Sequence, residues 1–85
     1  MTATAYYGGG TTSSGAPAQV GIVAALPGVI PAGTRVYIVS PYGSWEYGVA
    51  VVGDTPGINV VDLYMDTYEE CIQFGMRDAL VYILG

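Results

Sequence analysis

The sequence has no histidine, no lysine and a single cysteine, and each scarcity closes a class of chemistry. With no histidine and only Cys71, an ordinary His/Cys zinc site is excluded and no internal disulfide can form. A cysteine nucleophile would also lack its usual histidine base. Free cysteine is among the most frequently buried residues, so Cys71 reads as a small apolar packing residue. Positive charge is nearly missing: Arg35 and Arg77 stand against seven acids, a formal net charge of −5. No basic cluster is present to neutralise phosphates, which argues against nucleic acid and against an anionic membrane surface as partners. Neutral or cationic ligands, such as glycans or peptides, remain open. No apolar run approaches the ~20 residues of a membrane-spanning helix. No leader-like segment precedes Thr2, so an exported form would carry its leader in a longer parent chain or would have lost it.

What is present points to one small β-rich domain. Eighty-five residues leave no room for a second core, and thirteen glycines with five prolines punctuate a chain that is half hydrophobic. Thr2 to Tyr7 suits a short strand. Gly8 to Gly15 (GGGTTSSG) reads as a flexible loop, either a hairpin connection or a ligand-contacting rim. Strands are predicted over Val20 to Leu26, Arg35 to Ser40, Trp45 to Val52 and Ile58 to Tyr64, with a final one over Asp78 to Leu84. Regular pairing would put Trp45, Tyr47 and Val49 on one face, where aromatics pack a core or stack on sugars. Asp66 to Glu69 has the form of a helix start, with Asp66 as the cap. The helix should run from Thr67 to Phe74, burying Cys71 with Phe74 or Ile72, and stop at Gly75. A faint repeat relates Val20, Ile22, Val23, Pro27, Gly28 and Val29 to Val49, Val51, Val52, Pro56, Gly57 and Ile58 at a constant spacing. A pseudo-twofold barrel would produce this pattern.

Carboxylates are costly in apolar surroundings unless something compensates them. Asp54 ends one β-type run and Asp62 lies within the next, flanked by Val60, Val61 and Leu63. Asp54 has a turn role open to it, in the Asp54, Thr55, Pro56, Gly57 stretch. For Asp62 no local partner is evident, which makes it the leading candidate for chemistry.

The order of short motifs resembles the three-aspartate, or 3D, domain family. The motifs are ATAY at Ala3 to Tyr6, the Ser/Thr-rich stretch ending in SG at Thr12 to Gly15, AQVG at Ala18 to Gly21, VIPAGTRVYI at Val29 to Ile38, DTPG at Asp54 to Gly57, VDLYMDTYEE at Val61 to Glu70, and FG with VYIL near the end. The resemblance implies a mainly β fold, a six-stranded double-psi β-barrel with one short helix before the last strand. It is similar to the catalytic domain of membrane-bound lytic transglycosylase A. That implies cleavage of peptidoglycan between N-acetylmuramic acid and N-acetylglucosamine with formation of 1,6-anhydro-muramoyl ends, without metal or organic cofactor, in an extracellular or cell-wall setting. The resemblance assigns the acid/base role to Asp62, a supporting role to Asp54, and substrate contacts to Thr12, Ser13, Ser14, Gly15 and Thr55. Two carboxyls suit this chemistry, because burial or a neighbouring carboxylate raises the pKa of a general acid.

The chain departs from the family pattern where Leu26 occupies the position of the first signature aspartate and Pro56 that of a glycine. The alternative is therefore a glycan-binding or scaffold barrel without catalysis. A third class, an aspartic protease assembled from two copies, is suggested by Asp54 and Thr55 alone.

Overall fold

Short runs of β-branched and aromatic residues separated by glycine and proline favour extended structure over helix, and among the described residues the computed structural model contains seven strands and one helix in the order β1 (Thr2–Tyr6), β2 (Ile22–Ala24), β3 (Arg35–Val39), β4 (Glu46–Asp54), β5 (Val61–Tyr64), α1 (Tyr68–Phe74), β6 (Arg77–Asp78) and β7 (Leu80–Ile83). The structure describes residues 1–8, 10, 15, 17–25, 28–54 and 61–85, the side chain of Asp54 excepted. The strands form one mixed sheet in the order β6-β1-β5-β2-β4-β3-β7. β1 runs parallel to β5 and β2 parallel to β4, while β5 and β2 meet antiparallel at the centre.

One face of this sheet carries the core. Val36 and Ile38 of β3, Ala50 and Val52 of β4, and Val61 and Leu63 of β5 alternate with less buried neighbours, and Ala3, Val23, Ala25, Ile30 and Ala79 complete the cluster. This is the period-two pattern expected when one side of each strand is buried. The repeat seen in the sequence has a structural counterpart: Ile22 pairs with Val51 and Val23 with Val52, so equivalent positions of the two copies lie side by side.

Six strands are predicted and seven are observed. The final run is split at Ala79, whose N–H donates to the Met1 carbonyl at 2.8 Å. β6 pairs with β1 and β7 pairs with β3, so two strands joined by one residue occupy opposite ends of an open sheet. The predicted strand limits are otherwise shortened at β2 and extended to Asp54 at β4. Residues 58–60 of the fifth predicted strand lie outside the described residues.

Two further expectations are corrected. Val49 does not share the environment of Trp45 and Tyr47: it is exposed, whereas both aromatics pack against the core. The register between β3 and β4 passes from Ile38 opposite Gly48 to Val39 opposite Glu46, leaving Tyr47 as an extra residue in the bulge. Gly48 takes the required positive φ of 99°. The N-cap of α1 is Thr67, not Asp66. Thr67 is extended and its Oγ1 accepts from the Glu70 N–H at 3.2 Å, while the same hydroxyl donates to Glu70 Oε1 at 3.1 Å. The cap therefore lies one residue later than predicted, with the Glu70 carboxylate bonded to the cap hydroxyl. Gly75 does end the helix, its N–H donating to the Cys71 carbonyl at 3.0 Å. No helical residue is fully buried: Cys71 and Phe74 are half-buried and Ile72 points to solvent. Among the described residues, no helix is long and apolar enough to cross a membrane.

Candidate functional site

Asp62 sits in β5, between parallel β1 and antiparallel β2, opposite Thr4 on one side and Ala24 on the other. Its neighbours Val61 and Leu63 face the core and are fully buried, so strand alternation turns the half-buried Asp62 to the opposite face. There the Thr4 hydroxyl donates a hydrogen bond to Asp62 Oδ1. This supplies the polar partner that the local sequence lacks, across a separation of 58 residues. The helix α1 packs against β1. Burial, then the Glu70 and Asp62 charges, raise the Cys71 thiol above its ordinary range, so the single cysteine stays protonated beside the aspartate.

Ala24 pairs with both Asp62 and Asp54, which places the backbones of these two aspartates on either side of β2. Two interstrand steps correspond to roughly 9.5 Å between the chains. The Asp54 side chain, Thr12, Ser13, Ser14 and Thr55 lie outside the described residues, as do Leu26 and Pro56. Gly15 is exposed.

A cavity of about 290 Å³ lies beside this arrangement rather than at Asp62. It is walled by Trp45 just before β4, Tyr47 near the start of β4, Tyr64 from the end of β5, and Phe74 from α1, with Glu46, Asp66 and Glu70 among its lining. Tyr64 lies two residues beyond Asp62 on the same face of β5, so the cavity and the aspartate are neighbours. Tyr47 fixes one wall. Its hydroxyl donates to the Tyr64 carbonyl at 2.8 Å and accepts from the Gly21 N–H at 2.9 Å. Burial raises the Tyr47 phenol, partly offset by the Gly21 hydrogen bond, with the Asp66 charge adding to the rise. Trp45 and Phe74 meet edge to face at 5.1 Å, and Tyr6 and Tyr64 do so at 5.3 Å.

The sequence singles out Asp62 but not the residues that surround the cavity. The sequence offers Asp66 as a helix cap and gives no reason to group it with Glu46 and Glu70, which lie on separate elements and meet only around the cavity. Among the described residues, no group of His, Cys, Asp or Glu has the arrangement of a metal site.

Comparison with curated proteins gives no match. The model of the 3D domain family matches residues 21–85, well over half of the chain and including β2, β4 and β5. The chain therefore belongs to the 3D domain family, the double-psi barrel family related to membrane-bound lytic transglycosylase A.

Proposed function

We propose that this domain is a lytic transglycosylase-like enzyme of the bacterial cell wall, cleaving the glycan strand of peptidoglycan with Asp62 as acid and base. The observation that carries the reading is Asp62 itself: a half-buried carboxyl on the non-core face of β5, positioned by the Thr4 hydroxyl, in a chain of this family. The carboxyl would protonate the glycosidic oxygen as the bond to the muramoyl anomeric carbon breaks. The resulting carboxylate would then take the proton of the muramoyl 6-hydroxyl as that oxygen attacks the anomeric carbon. No water is consumed, so one group used twice replaces the acid and separate water-activating base of an inverting glycosidase. Asp54 would support this centre from across β2, and Thr12, Ser13, Ser14, Gly15 and Thr55 would contact the glycan.

The six-stranded double-psi barrel belongs to the same reading. Taking Arg77 to Ile83 as one strand bent at Ala79 reduces the count to six, and its two halves then join β1 to β3. The repeat-related strands β2 and β4 pair in parallel, as do β1 and β5, and two parallel pairs fit such a barrel. Action on peptidoglycan would place the domain outside the cytoplasmic membrane.

Digestion of purified peptidoglycan, read by mass spectrometry, tests the activity. The expected products carry 1,6-anhydro-muramoyl ends, and Asp62→Asn abolishes them while the variant keeps the parent's circular dichroism. Undiminished product from Asp62→Asn would remove Asp62 from the mechanism. Leu26 at the first signature position favours the second reading, a glycan-binding barrel without turnover. Saturable glycan binding with no anhydro product from the parent protein between pH 4 and 8 would select it.

A further inference from the structure

The cavity bounded by Trp45, Tyr47, Tyr64 and Phe74 has a charge pattern that the glycan reading does not use. Its charged lining residues are all acids, Glu46, Asp66 and Glu70. The chain has no lysine or histidine, and neither arginine lines the cavity. Arg77 is held outside it. Its Nε donates to the Phe74 carbonyl at 2.8 Å and its Nη2 to the Gln73 carbonyl at 3.0 Å, and its guanidinium lies behind two of the aromatic walls, 4.5 Å from the Phe74 ring centroid and 5.9 Å from that of Trp45. Glu46 and Glu70 have hydroxyl partners, Tyr37 and Thr67, which carry no positive charge.

We propose that this cavity binds the side chain of a lysine-type residue in a peptide: a primary ammonium on a short alkyl arm. The aromatic rings and Met65 offer apolar surface to the methylenes. The acids supply the opposite charge, and charge-assisted hydrogen bonds are roughly twice as strong as those between neutral groups. The volume of about 290 Å³ is at the bottom of the range for small-molecule sites, which suits one side chain rather than a disaccharide. An anion is repelled, and a neutral sugar leaves the charge pattern unmatched. The inference does not rest on the transglycosylase reading, since Asp62 is not part of the cavity wall.

Trp45 is the only tryptophan, so its fluorescence reports occupancy of this wall directly. The parent protein is titrated with Nα-acetyl-lysine methylamide, with the norleucine analogue that lacks the ammonium, with cadaverine, and with N-acetylglucosamine. The expected result is a saturable Trp45 response to the lysine probe, with binding of the norleucine analogue at least about tenfold weaker because it keeps only apolar contacts. Asp66→Asn should weaken the lysine probe by roughly two- to fivefold, the effect of one exposed ionic contact. Four results would each overturn the proposal: no saturable response, equal binding of the norleucine analogue, preference for N-acetylglucosamine, or an Asp66→Asn variant that binds as the parent does. Binding of cadaverine without the lysine probe would also overturn it, by assigning the site to a free amine.

Discussion

Tyr47 shows how a single residue can hold a site together without being conspicuous in the sequence. It is the extra residue of a bulge, and its hydroxyl bridges the Gly21 N–H and the Tyr64 carbonyl. Tyr47→Phe leaves both backbone groups without this partner, and a cost of about 1 to 3 kcal/mol is expected from the loss of partly buried hydrogen bonds. Its raised phenol also gives a pH dependence. An unfolded tyrosine ionises near pH 10, while folded Tyr47 holds its proton to higher pH. The unfolded state therefore releases its proton first, and this contribution to stability is complete below about pH 10 and declines above it. Urea midpoints measured from pH 8 to 11 should fall more steeply for the parent than for Tyr47→Phe, and parallel slopes would refute the assignment. Asp62 is different: an acid among apolar neighbours is visible in the sequence itself. Its partner Thr4 is not, because no local rule links residues separated by most of the chain.

At the scale of elements, propensity and turn chemistry locate the strands and the helix, and single-residue details decide what they present. The stop at Gly75 is legible because an N–H must close the last turn and glycine alone adopts the required φ freely, here 62°. The start is ambiguous, since Asp66 and Thr67 are both good caps and both have a glutamate three residues on. The structure selects Thr67 through its bond from the Glu70 N–H. Asp66 is thereby left to line the cavity instead. Thr67→Ala is expected to lower the free energy of unfolding by about 0.5 to 2 kcal/mol, the usual range for a lost N-cap. Asp66→Asn, at an exposed position with no capping role, should stay within about 0.5 kcal/mol of the parent. Chemical denaturation of the two variants checks this, and the reverse ranking would restore Asp66 as the cap. The bulge at Tyr47 and Gly48 is hidden in the sequence for another reason. Alternation continues on either side of it, and only the partner strand reveals the slip.

For the whole molecule, the β class and the repeat can be read from the sequence, but neither the parallel pairing of the repeat-related strands nor the division of the last run between two sheet ends can. Both halves of that run have strand-like composition, and only their partners, β1 and β3, distinguish them. Residues 77–83 consequently link the most distant parts of the sheet order. Ala79, at the junction, is 1 % exposed and packs in the core cluster. Its N–H also ties the segment to Met1. A larger side chain has no room there, so Ala79→Leu should destabilise the domain by about 1 to 3 kcal/mol, as overpacking in a filled core does. If this segment couples the two ends, the loss will not remain local. Native-state hydrogen exchange should show the protection of β1 and β3 amides falling together and by similar factors, as members of one cooperative unit. Protection lost only in β6 and β7, with β1 and β3 unchanged, would mean that the sheet ends hold independently and that the Ala79 junction is a surface tie rather than a clasp.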